Sequence, residues 1–298
     1  MAERPPEESS APTRCGHIAL AGAPNVGKSS LLNALVGEHL AIVSPKAQAT
    51  RLPVVGLRTE GAVQMIFHDL PGLLDPSYLL QERMRETAEA EIARADVILH
   101  LHEAAAAPAP DFQQLARLAE PSRAPVFTVY TKSDQGGGLA AHQPRPREFL
   151  ISTVSGEGIP ALLDAIIPIL PQRPFEFDAE DLGVQPLRFF VVEFLREAAF
   201  EQLSDELPYS FTAEVDEFRE GSDPVYIRAT LFVERNSQKG ILIGENGRTI
   251  KAIGRHARMR LEQLMGQRVY LETWVKVLPR WRRDPGMLER FGFPSRDS

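Results

Sequence analysis

Lys28 and Ser29 close the run Gly22-Ala23-Pro24-Asn25-Val26-Gly27-Lys28-Ser29, which has the GxxxxGK[ST] spacing of a phosphate cradle. Its glycines let backbone N–H groups turn inward around a polyphosphate. Lys28 supplies positive charge for the β- and γ-phosphates, and the Ser29 hydroxyl is placed for Mg²⁺. Ser30 follows in the first turn of a helix, where N–H groups also face the anion. Further along lies His68-Asp69-Leu70-Pro71-Gly72-Leu73. Asp69 would hold Mg²⁺ through water, and the Gly72 N–H would approach a γ-phosphate. In Thr131-Lys132-Ser133-Asp134 the Asp134 carboxylate can accept from guanine N1–H and the 2-amino group. Adenine offers no such pair of donors, so GTP is favoured over ATP. Lys132 would lie along the base and ribose, and backbone N–H groups around Ser152 and Thr153 would meet guanine O6.

These motifs need strands that end beside one another. Apolar runs at 16–21, 53–58, 63–68, 96–101, 125–130 and 148–151 read as strands, and helix-length stretches separate those after the first pair. That is the pattern of a largely parallel sheet covered on both faces. Residues 171–186, acidic and Pro-containing, read as an interdomain linker. A helix is expected from Leu187 to Leu207, strands over 209–219 and 225–235, and a short helix near 237–243. A longer helix to Met265 and a strand Val269–Val277 complete the order. Between the last two helices sits Gly244-Glu245-Asn246-Gly247. Arg248, Lys251, Arg255 and Arg258 follow at three- and four-residue spacing, so they share one helix side.

Charge is distributed unevenly. The whole chain carries −7, yet Lys239 to Arg283 holds eleven Lys and Arg against three Glu, net +8, leaving −15 elsewhere. A basic segment on an acidic body indicates an anionic partner for one part only, with a solvated helix face as the bland reading. No apolar run approaches membrane-spanning length. The single cysteine, Cys15, excludes an intrachain disulfide framework and fits a reducing cytosol. Residues 1–14 read as a disordered extension rather than a signal peptide.

Together the motifs resemble the translation-factor-related GTPases and, within them, the Era family, over about residues 15–285. Besides the runs above, the marks are Lys46-Ala47-Gln48-Ala49-Thr50-Arg51, Leu207-Pro208-Tyr209-Ser210, Gln238-Lys239-Gly240-Ile241-Leu242-Ile243-Gly244 and the strand 269–277. The resemblance implies an α/β fold: a P-loop G domain (15–172) with a mostly parallel, doubly wound sheet. A linker (173–186), an α+β type-II KH domain with its leading helix (187–285) and a tail (286–298) would follow. It also implies Thr50 as the switch threonine that joins Ser29 and Asp69 at Mg²⁺, with Lys28, Thr50 and Gly72 serving catalysis. Asn25 matches a P-loop asparagine that related GTPases use to hold K⁺. RNA would meet the Gly244–Gly247 loop, Lys239, Gly240 and the arginines that follow.

The chain departs from the family pattern at several places. Ala49 stands where a second threonine is usual, Thr131 where asparagine is usual, Leu70 where threonine is common, and Thr153 where alanine is. Leu73 and Leu74 occupy the region where many GTPases carry a water-orienting glutamine, so intrinsic hydrolysis is expected to be slow. Arg51 as an internal arginine finger is a further reading. Trp274, within the final strand, is expected in the core. Trp281, beside Arg280, Arg282 and Arg283, would stack on a base or pack against the linker helix.

The function implied is a monomeric, cytoplasmic GTP/GDP switch that binds small-subunit ribosomal RNA near its 3′ end and acts in assembly of the 30S subunit. One alternative is a peripheral-membrane cell-cycle signalling GTPase whose basic segment meets lipid or protein on the inner face of the cell membrane. No strongly amphipathic basic helix with exposed aromatics favours it. Another is an RNA module with a non-hydrolysing G domain.

Overall fold

The computed structural model describes residues 12–136 and 145–295. The extension expected at 1–14 falls almost wholly outside them. The first unit is a six-stranded sheet: β1 (Arg14–Gly22), β2 (Val54–Glu60), β3 (Val63–Asp69), β4 (Val97–Glu103), β5 (Val126–Thr131) and β6 (Glu148–Leu150). Its order is β2-β3-β1-β4-β5-β6, with β2 antiparallel to β3 and every other pair parallel. Helices α1 (Lys28–Val36), α2 (Leu79–Arg94), α3 (Phe112–Ala116) and α4 (Ile159–Ile166) cover it. Consecutive residues Ile18, Ala19, Leu20 and Ala21 are all buried, as a strand covered on both faces requires. The carboxyl ends of β1, β3 and β5 meet at one edge, so loops distant in sequence share a crevice.

The second unit is α5 (Leu187–Gln202), α6 (Leu207–Ser210), β7 (Thr212–Arg219), β8 (Val225–Val233), α7 (Asn236–Ile243), α8 (Arg248–Met265), β9 (Val269–Val277) and α9 (Pro285–Arg290). β8 pairs antiparallel with β7 and parallel with β9. The leading helix stops at Gln202 rather than Leu207, because Leu203 turns to an extended conformation. Leu207 then starts the four-residue α6, with Pro208 in its first turn, which delays the next strand from 209 to 212.

Two segments are more firmly built than expected. The linker lies on the sheet: Gln64 Oε1 accepts from Glu176 N (2.9 Å) and Phe177 N (3.1 Å) while Gln64 Nε2 donates to Phe177 O (2.9 Å). Phe175 and Phe177 pack on Cys15, Leu57 and Ile66, and Leu57 N donates to Leu182 O. This covers edge strand β2. Burial raises the Cys15 thiol pKa, so this cysteine is a core residue and not a nucleophile. Part of the tail is helical too, with Asp284 Oδ1 accepting from Met287 N at 2.9 Å as the cap of α9. Leu288 and Phe293 then pack with Trp281 against Leu80 and Met84 of α2. Phe190, Val191, Phe194 and Leu195 of α5 belong to the same apolar core as Leu40, Ala41 and Val54, so one core spans both units.

Candidate functional site

The loop from β1 to α1 owes its shape to two conformations that disfavour larger residues. Gly27 has φ 92°, and a Cβ on Gly22 would stand 2.4 Å from Leu101 O. The loop borders a cavity of about 410 Å³ lined also by Val43, Gln48, Thr50, Gly72, Glu103 and Lys132. The Lys28 ammonium donates to Ala23 O (2.8 Å) and Gly22 O (3.4 Å). Burial lowers its pKa to about 8 against the pull of Asp69. Asp69 ends β3 fully buried, and burial raises its pKa to about 6 although Lys28, Ser29 and Thr50 oppose the shift.

Ser29, Thr50 and Asp69, far apart in sequence, come together here. Ser29 Oγ donates to Asp69 Oδ2 (2.6 Å), Thr50 Oγ1 donates to the same oxygen (3.0 Å), and the two hydroxyls are 3.0 Å apart. Asp69 Oδ1 is buried without a protein partner. Hard oxygen donors with one unsatisfied carboxylate oxygen fit Mg²⁺. Ser29, Thr50 and Asp69 would hold the ion, which would neutralise phosphate charge. Gly72 presses on the cradle, since a Cβ there would lie 2.8–2.9 Å from Pro24. Leu73 N donates to Gly22 O at 2.9 Å, but its side chain turns away into a cluster with Leu70, Ala88 and Ile92. Neither Leu73 nor Leu74 lines the cavity.

At the opposite end, Thr131 Oγ1 donates to Val26 O (2.7 Å), tying the β5 loop to the cradle. Lys132 forms an ion pair with Glu103 of β4, a partner that no sequence motif marked. Ser152 Oγ donates to Asp134 Oδ1 at 2.6 Å, which orients the carboxylate beside Ser133, and Thr153 follows Ser152 in the chain.

Residues 44–51 are held by the second unit. Arg51, 3% exposed, donates to Phe211 O (2.8 Å), Pro208 O (3.1 Å) and Tyr209 O (3.0 Å). Its guanidinium carbon sits 5.7 Å from the Trp281 ring centroid. It is therefore a clamp between units rather than a finger aimed at phosphate. Lys46 donates to the Phe200 and Leu203 carbonyls, and Arg196 donates to Ala49 O at 2.7 Å. On the cradle side, Asn25 Nδ2 donates to Pro45 O at 2.8 Å.

In the second unit, Gly244 (φ 72°) and Gly247 (φ 76°) form a tight loop between α7 and α8, with Glu245 and Asn246 exposed at its tip. Arg248, Lys251, Arg255 and Arg258 all face solvent, opposite Ile253, Ala257 and Leu261, which bury α8. Lys239 and Gly240 lie on α7 before the loop. The two tryptophans reverse one expectation and decide another. Trp274 is 56% exposed, because its position in β9 points to the outer face of the sheet. Trp281 is fully buried with Nε1 donating to Ser210 O at 2.9 Å, so it packs and does not stack on a base.

Comparison with known proteins agrees with this geometry. A family model described as 50S ribosome-binding GTPase matches residues 17–132, and a KH-domain model matches residues 206–282. GTPase Era of Afipia carboxidovorans is 38% identical over 304 residues, covering 98% of both chains. GTPase Era of Geobacter metallireducens is 39% identical over 293 residues, covering 95% of this chain and 98% of the relative. The chain belongs to the Era family of GTPases. Two Era crystal structures superpose with TM-scores of 0.88 at 34% identity, over 95% of this chain and all of theirs. One is an Aquifex aeolicus Era variant bound to GDP and AlF₄⁻; the other is Era in complex with MgGDPNP and nucleotides 1506–1542 of 16S ribosomal RNA.

As an Era-family GTPase the chain converts GTP to GDP and phosphate. Two of the departures from the expected pattern, Ala49 and Thr131, have local reasons. Ala49 packs with Ile42 and Phe200, an apolar site where a hydroxyl would gain nothing, while Thr50 reaches Asp69. Thr131 still binds the cradle through its hydroxyl.

Proposed function

We propose that this GTPase is a slow molecular switch that binds small-subunit ribosomal RNA near its 3′ end and serves assembly of the 30S subunit. The observation that carries this reading is the continuous path from Thr50 through Arg51 to Pro208, Tyr209 and Phe211, at the entrance to the KH domain. The Era chain seen with MgGDPNP and a 16S ribosomal RNA fragment supports it. The motifs Gly22–Ser30, Asp69–Leu73, Thr131–Asp134 and Ser152–Thr153 bind GTP and GDP. Gly244–Gly247 with Lys239, Gly240, Arg248, Lys251, Arg255 and Arg258 bind RNA. Loss of the γ-phosphate would release Thr50 and Gly72, and Arg51 would pass that change to the KH domain. For RNA to respond, GTP must bind the RNA-competent state more tightly than GDP does.

Mg²⁺ is held by Ser29, Thr50 and Asp69. Water activation falls to backbone, ions or a partner, because no polar side chain replaces a glutamine at Leu73 and Leu74. Asn25 supports K⁺ beside the phosphates: it is exposed at the cradle, and its amide oxygen accepts no hydrogen bond from the described residues. Equal hydrolysis rates in potassium and sodium buffers would remove that role. The chain works as a cytoplasmic monomer.

The test is RNA binding with a GTP analogue, with GDP and without nucleotide, comparing the 3′ end of small-subunit ribosomal RNA with a scrambled control. Tightest binding to the 3′ end with the GTP analogue is expected. Identical affinity in all three states would defeat the switch.

A further inference from the structure

A cavity of about 580 Å³ lies on the seam between the units, lined by Tyr78, Glu234, Arg235, Pro279, Arg280, Arg282 and Arg283. Its one carboxylate is spent within the wall: Arg282 donates to Glu234 Oε2 at 2.6 Å. The same guanidinium lies 5.1 Å from the Tyr78 ring centroid, bringing the residue before α2 into the wall. Arg235, Arg280 and Arg283 are exposed and have no carboxylate partner among the described residues. Three guanidiniums without a carboxylate partner line one concavity, and a cleft lined by one sign of charge attracts anions.

We propose that this cavity seats phosphodiester groups of the same single RNA strand that the Gly244–Gly247 loop clamps. The inference rests on the RNA reading and extends it to a second contact. Arg235 immediately precedes α7 and the loop immediately follows it. An eight-residue helix is about 12 Å long, so cavity and loop are within reach of a short run of nucleotides. Lys239, on α7, lies between Arg235 and the loop along the chain. Guanidinium forks suit phosphate oxygens, the contacts that position a strand without reading its sequence. A strand seated here touches both the KH unit and the wall formed by Tyr78, so bound RNA bridges the two units.

The test is the salt dependence of RNA binding by the full chain with a GTP analogue. It compares the native protein, the triple variant Arg235→Gln/Arg280→Gln/Arg283→Gln, and the loop variant Arg248→Gln/Lys251→Gln. Each single-strand phosphate contact contributes about 0.7 to the slope of log K against log[salt]. The triple variant should therefore lose about 2 from the slope and bind about 100-fold more weakly at 0.1 M salt. GTP-analogue affinity should stay native, because none of the three residues lines the nucleotide cavity. A native slope in the triple variant, with a reduced slope in the loop variant, overturns this proposal and leaves the RNA reading intact. Absence of RNA binding by the native chain overturns both. Loss of inorganic pyrophosphate binding with unchanged RNA affinity would make the cavity a free-anion site and also overturn it.

Discussion

Replacing Arg51 by methionine should disconnect the phosphate cradle from the KH domain while leaving each unit folded. The side chain is buried and gives three hydrogen bonds of 2.8–3.1 Å to Phe211, Pro208 and Tyr209 carbonyls. Methionine fills much of the volume but orphans three acceptors, two of them buried, at a cost of about 1 kcal/mol each. Loss of the contact with Trp281 adds about 1 kcal/mol. Relief from burying a cation offsets part of this, giving a net loss of about 3 kcal/mol for docking residues 44–51 on the second unit. Amide hydrogen exchange reads that number directly, since local opening free energy sets protection. Exchange in residues 46–52 and 207–213 should accelerate about 100-fold, while β1 and β8 keep native protection. Arg51→Lys keeps the charge but not the planar fork, and should fall between the two. Native protection in both segments of the methionine variant would refute the clamp. So would uniform loss throughout the chain, which would mean that Arg51 supports the whole core.

Three other perturbations follow from particular distances and burials. His100 is 1% exposed, and burial, with His102 nearby, lowers its pKa from 6.5 to about 4 against the pull of Asp111. The unfolded chain therefore binds the proton first, and stability falls as pH drops from 6.5 to 4, by about 3 kcal/mol in full. Urea denaturation of His100→Leu across that range should lack this component; an unchanged pH profile would rule it out. Asp134→Asn removes the charged acceptor for guanine N1–H and the 2-amino group, and should weaken GTP about 100-fold or more. Titration with labelled GTP checks it, and native affinity would contradict the assignment of Asp134 to the base. Gly72→Ala places a methyl 2.8–2.9 Å from Pro24, including backbone atoms. Single-turnover GTP cleavage should fall at least tenfold with thermal stability nearly kept, and native cleavage would show that the loop yields freely.

The nucleotide motifs and element order were legible because each is a local pattern. A glycine spacing makes a cradle, an aspartate at a strand end points into the crevice, and alternation or helical spacing decides strand or helix. The strand Val269–Val277 stands where expected, and α7 and α8 flank the Gly244–Gly247 loop as read. The limits of α5 and the helical α6 were less clear, since their apolar residues continue through Leu203 and Leu207 while the backbone does not. Burial of the tryptophans was not legible: Trp274 sits in an apolar strand but faces outward, and Trp281 sits among arginines but lies in the core.

By itself, then, the sequence determined the chemistry of the cradle, the preference for guanine and the two kinds of unit, because those depend on residue type and short spacing. Tertiary structure alone decided how the units are joined. Arg51 meets carbonyls of residues more than 150 positions away, and any residue can supply a carbonyl, so no side-chain pattern marks the partner. The linker's seat on Gln64, the docking of α9 on α2 and the convergence of Arg235, Arg280 and Arg283 have the same origin. They are contacts between distant stretches, set by how one core closes around both units.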